Sequence, residues 1–430
     1  MSAAMTAPNG MFRSLRNGNY RLWTMGAFVS NIGTWVQRTA QDWLVLTVLT
    51  QHSASAVGVV MALQFGPQML LLPWTGVAAD RFDQRRLLMW TQGIMGALAL
   101  GLGLLTVTGM VTLWQVYIFA FLLGCAAAFD APVRQTFVGQ LVGDEDLTNA
   151  VALNATSFNG ARMVGPAVAG MMIATAGTGW AFVINGASFF AVMIALAAMR
   201  TQDLRRAPRA SRASGGFIEG LRYVRARPDL IAILAMLFLI GTFGLNFPIF
   251  ISTMAVGVFH ADARAYGLLS SMMAVGTVAG ALLNAGQERL RFSMLVVSSA
   301  LFAVGCTLAA LAPGYWWFGA ALVVTGVASL IFTNSTNTLM QLSTEPAMRG
   351  RVMALRVGIA LGGTPIGAPI VGYVADHAGP RWALGVAAAA GVAAVLVGWR
   401  AIKAGYAPAP RPATPVITPD AVPDETVEAL

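Results

Sequence analysis

Long apolar runs separated by short polar stretches set the organisation of this chain. A bilayer core takes about 20 mostly apolar residues per helix, and on that rule the pattern predicts about twelve spans. In the first half they fall at 22–48, 56–79, 87–109, 112–134, 148–175 and 179–199. In the second half they fall at 229–257, 265–285, 293–311, 315–340, 352–375 and 381–402. Short hinges such as Thr108-Gly109, Ala176 to Gly179 and Ala312-Pro313-Gly314 leave successive helices as antiparallel neighbours. The fold class expected is an all-α membrane protein with two pseudo-symmetric six-helix bundles.

Residues 200–228 interrupt the apolar pattern with a basic, Pro- and Ser-containing stretch. Phe217, Ile218, Leu221 and Val224 then recur at helical spacing with Arg222 and Arg225 between them, which predicts an amphipathic helix on the inner leaflet. The chain therefore divides into a cytoplasmic N-terminal segment (1–21), a first bundle (22–199), a cytoplasmic linker (200–228), a second bundle (229–402) and a tail (403–430). The tail is rich in Pro and Ala, lacks apolar periodicity and is expected to be disordered.

The two bundles repeat one another. A shift of 202 residues carries Gly160, Gly165, Gly170, Gly177 and Trp180 onto Gly362, Gly367, Gly372, Gly379 and Trp382. A shift of 204 carries Gly76, Asp80 and Arg85 onto Gly280, Asn284 and Arg289. Parallel six-helix repeats about an axis along the membrane normal are one way secondary transporters are built.

Composition sharpens this. The chain is 57% hydrophobic and 10% charged, where a soluble protein averages about 25% charged. The formal charge of +9 would point to nucleic acid in a soluble protein, but here it follows the loops. Arg13, Arg16, Arg21, Arg81, Arg85, Arg86, the arginines of 200–228, Arg289, Arg291, Arg349, Arg351, Arg400 and Lys403 lie on one side, against Arg264 and Arg381 on the other. Positive charge stays inside, so both termini are expected in the cytoplasm. No cleavable signal peptide is read at the N-terminus. Cys125 and Cys306 sit in apolar runs and suit neither a disulfide framework nor a metal site. With no nucleophile–base pair, no phosphate loop and a single lysine in the tail, the expectation is no enzyme activity, no cofactor and no use of ATP.

Ionisable residues inside apolar spans cost about 2.5–3.5 kcal/mol each on insertion scales, so the few present are informative. Arg38 and Asp42 lie four apart on the first span and share a helix face. Two readings stand open: a self-neutralising ion pair, or a protonatable Asp42 in a central cavity tuned by Arg38. Arg162 lies at matching depth in the fifth span, so an Arg38–Asp42–Arg162 cluster is expected. Trp35, Gln41, Trp43, Gln64, Asn246, Asn334, Asn337 and Arg356 are the other substrate-cavity candidates, with the amides of Gln64, Asn246, Asn334 and Asn337 equally suited to helix–helix glue. Asp130 and Arg134 close the fourth span and are expected to join Asp80 and Arg81 in a charge network that holds the cytoplasmic side shut.

Several stretches carry a family resemblance. Gly76 to Arg86 reads G-x-x-x-D-R-x-x-x-R-R, with Asp83-Gln84 where a glycine is usual, and resembles the loop between the second and third helices of the major facilitator superfamily. Gly160, Arg162, Gly165, Pro166 and Gly170 resemble the fifth-helix signature of its antiporters, with Gly170 one position late. The stretch from Asn31 to Leu46, together with Phe129 to Gln135, Asn149 to Asn154 and Gly350 to Leu355, is similar to the branch holding enterobactin exporters and multidrug efflux proteins of bacteria. The resemblance spans about residues 12–402. It implies a central cavity, rocker-type alternating access and efflux. The expectation is a proton-coupled exporter of amphipathic small molecules such as drugs or siderophores, monomeric, multi-pass in the bacterial cytoplasmic membrane. A nutrient importer or facilitator on the same fold, and a non-transporting sensor or scaffold, are the alternatives.

Overall fold

The computed structural model describes residues 10, 12–205, 217–285 and 291–406, without the side chains of Pro73, Asp80, Phe217 and Ala285. Arg206, Arg209, Arg212, Arg289, the Asp80 side chain and the tail from 407 lie outside the described residues.

The described chain is helical throughout. The first half holds α1 (Gly18–Trp43, continued by a π-helical stretch Leu44–Leu49), α2 (Ala54–Leu70), α3 (Leu72–Arg81), α4 (Gln84–Val107), α5 (Leu113–Leu141), α6 (Asp144–Ala176) and α7 (Thr178–Ala198). After the short α8 (Phe217–Arg225) come α9 (Pro228–Leu239, continued by π-helical Ile240–Gly244), α10 (Phe247–Gly257), α11 (Ala263–Ala285), α12 (Phe292–Ala310), α13 (Tyr315–Ser343), α14 (Pro346–Ala378) and α15 (Pro380–Lys403). The span expected as one helix over 56–79 is broken at Leu71, because Pro73 lacks the N–H that a continuous ladder needs.

Among the described residues, nine helices are long and apolar enough to cross a membrane by length and composition. The stretches that complete the expected twelve are α1, the α2–α3 pair and α6. They fall short because α2 is interrupted and because α1 and α6 carry charged and amide side chains toward the interior.

Repeat geometry explains the repeat glycines. Gly177 (φ +89°) turns the chain from α6 into α7, and Gly379 (φ +101°) turns it from α14 into α15, both in a left-handed region that side chains disfavour. Within the first half, α1 packs on α6 and α7, α4 on α7, and α2 on α5. Within the second, α11 packs on α13, and α12 on α13 and α15. The halves meet along two crossings, α2 on α14 and α6 on α11. Backbones touch there. A Cβ on Gly372 would lie 2.5 Å from the Ala54 oxygen, one on Gly58 2.5 Å from the Ala368 oxygen, and one on Gly170 2.5 Å from the Ala263 oxygen. All three contacts lie toward the face opposite the chain termini. Small residues that admit close backbone approach are how helices associate where lipid removes the hydrophobic drive.

The amphipathic α8 lies on the termini face, with Val224 buried, Gly220 against Arg351 of α14, and Ile218 and Leu221 exposed. Arg227, just after it, ties this region to α9 and α13 through Asp229 (2.7 Å), the Tyr223 hydroxyl (3.0 Å) and the Ser343 carbonyl (3.0 Å).

Candidate functional site

A cavity of about 330 Å³ lies between the halves. From the first half it is lined by Trp35, Arg38, Thr39 and Asp42 of α1, Met61, Gln64 and Phe65 of α2, and Phe158, Arg162 and Pro166 of α6. From the second half come Leu245, Phe247, Pro248 and Ile251 around α10, Tyr266, Ser270, Met273 and Ala274 of α11, and Thr364 of α14. Helical spacing produces the first-half wall. Trp35, Arg38 and Asp42 step along one face of α1 at intervals of three and four, and Phe158, Arg162 and Pro166 along one face of α6 at intervals of four.

Arg38, Asp42 and Arg162 thus share one cavity, but the expected three-membered ion cluster is not formed. No ion pair within 4.0 Å includes any of them among the described residues. Both guanidinium groups turn instead to aromatic faces. Arg38 sits 5.2 Å from the Trp35 ring and 5.5 Å from Phe65, and Arg162 sits 5.5 Å from Trp35. Such contacts contribute about 0.5–2 kcal/mol each and need no carboxylate. Trp35 is fixed in turn by an edge contact with Phe158 at 5.9 Å and by Gly165, where an added Cβ would lie 2.5 Å from the Trp35 Cβ. Gly165 therefore packs α6 onto α1 and lets the two arginines approach one indole.

Of the other expected cavity residues, Gln64 lines the wall and Trp43 stacks on Tyr266 across the halves, with ring centroids 5.7 Å apart and planes 23° apart. Gln41 is buried, with its Nε2 unpartnered, and does not line the cavity. Asn246 is buried beside it, donating from Nδ2 to the Thr242 carbonyl at 2.7 Å. Asn334 and Asn337 are off the cavity wall. Arg356 binds α14 to α13 by donating to the Thr333 carbonyl (3.0 Å) and the Thr336 hydroxyl (3.3 Å). Arg356 is thus helix–helix glue in this conformation, while Asn246 bonds within its own stretch. Tyr266, Ser270 and Thr364 were not singled out from the sequence. Only Thr364 had a signal there, since the 202-residue shift lays it on Arg162.

Of the charge network expected at the termini face, the structure describes the Asp130–Arg134 part, and the Asp80 side chain lies outside the described residues. Buried Asp130 accepts from the Thr91 hydroxyl (2.8 Å), Gln92 Nε2 (2.6 Å) and Arg134 Nε (3.0 Å), so it binds α5 to α4 within one half. Arg134 also faces the Trp23 ring at 5.6 Å. Arg85 donates to the Leu196 (2.7 Å) and Ala197 (3.2 Å) carbonyls, closing the C-terminal end of α7, where a cation meets the negative end of the helix dipole. Arg81 and Arg86 are exposed, and the Arg86 N–H caps onto Asp83 at 2.8 Å. Gly76 and Gly160 have no neighbour within 4 Å of an added Cβ, whereas Gly170 packs on α11.

The comparisons agree with this architecture. The profile of the MFS_3 family, described as transmembrane secretion effector, matches residues 9–411. A staphyloferrin A transporter of Staphylococcus aureus (strain NCTC 8325 / PS 47) is 25% identical over 257 residues, which is 60% of this chain and 64% of that protein, just under two thirds of its length. An enterobactin exporter of Escherichia coli O1:K1 / APEC is 25% identical over 324 residues, 75% of this chain and 77% of that protein. A crystal structure of a bacterial homologue of the human lysosomal transporter Spinster, inward-facing and occupied, superposes with a TM-score of 0.71 at 14% identity, covering 94% of this chain and 100% of that one. A D-xylose–proton symporter superposes with a TM-score of 0.69 at 12% identity, over 91% and 98% of the two chains. The chain belongs to the transmembrane secretion effector family of major facilitator transporters, which are not enzymes.

Proposed function

We propose that this protein is a secondary active exporter that moves amphipathic small molecules, drugs or siderophores, out of a bacterial cell in exchange for protons. The observation that carries the reading is a cavity built from both halves whose wall holds one carboxylate, Asp42. In this scheme Asp42 takes a proton from outside and gives it up inside. Trp35, Phe65, Phe158 and Phe247 bind the apolar body of the substrate. In this reading both termini lie in the cytoplasm, as the excess of positive loop charge on their side supports. The driving force is adequate. One proton falling through about 100 mV releases about 2.3 kcal/mol, and one pH unit adds about 1.4. Together they support a substrate gradient of several hundred-fold.

A second reading rests on the two arginines that no carboxylate meets. Arg38 and Arg162 outnumber Asp42, so the wall carries net positive charge and favours an acidic substrate. An acid held there places its negative charge in the same cavity as the Asp42 carboxylate, and a proton on Asp42 relieves the repulsion. Proton and acid would then travel together, and outward movement would draw on the membrane potential, about 2.3 kcal/mol per surplus negative charge per 100 mV.

Proteoliposomes with the pH gradient and the potential imposed separately distinguish the two. Flux of a catecholate or a cationic dye that follows the pH gradient and vanishes in Asp42→Asn supports exchange. Flux of an acid alone that follows the potential and survives Asp42→Asn, but not Arg38→Gln, supports the second. Asp42→Asn transporting like wild type under a pH gradient alone would sink the first reading.

A further inference from the structure

The two crossings between the halves are related by the internal repeat, yet among the described residues only one carries a polar bond across the seam. On the α2–α14 crossing, Asp376 at the end of α14 reaches the first turn of α2. Its Oδ1 accepts from the Ala54 N–H at 2.6 Å, and its Oδ2 accepts from the Ser55 N–H at 2.9 Å and from the Ser53 hydroxyl at 3.1 Å. Ser53 is already the cap of α2, accepting from the Ala56 N–H at 3.2 Å, so Asp376 takes the donors this cap leaves free. A carboxylate on the first N–H groups of a helix also meets the positive end of its dipole.

The α6–α11 crossing has the same backbone geometry, with Gly170 on Ala263 and Gly267 on Pro166. There α11 is capped from its own half by Asp262, which accepts from the Ala265 N–H at 2.9 Å. The 202-residue shift puts Ala174 where Asp376 stands, and alanine has no acceptor to offer. Trp43 stacks on Tyr266 next to Gly267, so the latch, the glycine contacts and the aromatic pair all lie on the cavity's far side from the termini.

We propose that Asp376 is the latch of the outer gate: its bonds to Ser53, Ala54 and Ser55 hold the cavity shut on the outer face and release for the outward-open state to form. The inference uses the orientation proposed above and is independent of substrate and coupling ion. Asp376 is exposed on its free side, so water moderates each bond and the latch biases the equilibrium without freezing it.

The test uses the full chain in a cysteine-free background (Cys125→Ser, Cys306→Ala) with Ser270→Cys as a reporter in the cavity. The readout is its labelling rate by a membrane-impermeant maleimide added outside, without substrate. Asp376→Ala is expected to raise that rate about tenfold, as loss of two to three charge-assisted bonds allows, and Asp376→Asn less. Asp262→Ala, which removes the cap on the other crossing, is expected to stay within about twofold of the parent. A Ser55→Cys/Asp376→Cys pair keeps the test open if Asp376→Ala folds poorly. Its oxidation should stop outside labelling and transport, and reduction should restore both. Unchanged labelling in Asp376→Ala, or an oxidised pair that still transports, overturns the proposal. A labelling shift with no transport of any tested compound leaves the latch standing and counts against the exporter reading alone.

Discussion

The two walls of the cavity come from repeated halves but have opposite chemistry. The first-half wall carries Arg38, Asp42, Arg162 and Gln64 around Trp35. The second-half wall is Leu245, Phe247, Pro248, Ile251, Met273 and Ala274, relieved by the hydroxyls of Tyr266, Ser270 and Thr364. At the register that superposes the repeat glycines, Arg162 faces its counterpart Thr364. Gly177 and Gly379 are kept at turns, and Gly165, Gly170, Gly367 and Gly372 at close helix contacts, whereas Gly160 faces open space and Gly362 meets the Met69 side chain. The wall positions diverge because nothing in the scaffold constrains them. One half therefore holds the charge chemistry, and the other offers a largely apolar surface. The hydropathy shortfall of α1 and α6, against α10 and α11 stretches apolar enough to span, is the same asymmetry seen along the chain.

That contrast can be broken from either side. Removing both cations, Arg38→Gln with Arg162→Gln, should weaken binding of an acidic substrate by about 100-fold or more, since hydrogen bonds to charged groups contribute about 1.5–3 kcal/mol each. Thr364→Ala, its counterpart on the other wall, should cost only a few-fold. Quenching of Trp35 fluorescence by titrated substrate reads both, and equal losses would erase the distinction between the walls.

Next in size are the scaffold glycines. Gly367 packs directly on the Thr242 carbonyl, so Gly367→Ala should lower stability by about 1–3 kcal/mol. Gly160, which faces open space, should accept alanine within about 0.5 kcal/mol. Thermal melts in detergent check this pair. If the two alanine variants melt together, the glycine repeat is not the scaffold claimed here.

Smallest is the aromatic floor. Trp35→Phe keeps a ring under the two guanidinium groups but weakens the cation–π attraction, and should lower substrate affinity about three- to tenfold. Phe247→Leu on the apolar wall should lower it about twofold. Transport assays at subsaturating substrate rank the two, and a larger effect at Phe247 would move recognition to the second half.

Much of this was legible along the chain. The spacing of apolar runs, the loop at Gly76 to Arg86 and the glycine register all depend on composition or short-range pattern, and the placement of Arg38, Asp42, Arg162 and Gln64 on the cavity follows from depth and helical period. The errors share one cause: depth was readable, but the rotation of each helix about its axis was not. Asn246, Gln41 and Arg356 sit at suitable positions along their helices yet do not line the cavity, because packing sets that rotation. The Arg38–Asp42 spacing permits an ion pair, but Trp35 and Phe65 offer Arg38 a desolvated face that sequence spacing does not reveal. Asp376 was hidden because its partners lie more than 320 residues away.

The most direct test of the central claim is substrate-induced proton movement in proteoliposomes carrying an internal pH dye, with wild type and Asp42→Asn side by side. The account predicts a proton flux in wild type that needs both substrate and Asp42, and none in the variant. Equal substrate-dependent proton fluxes in both would contradict it, and would leave Asp42 as a wall residue with no part in coupling.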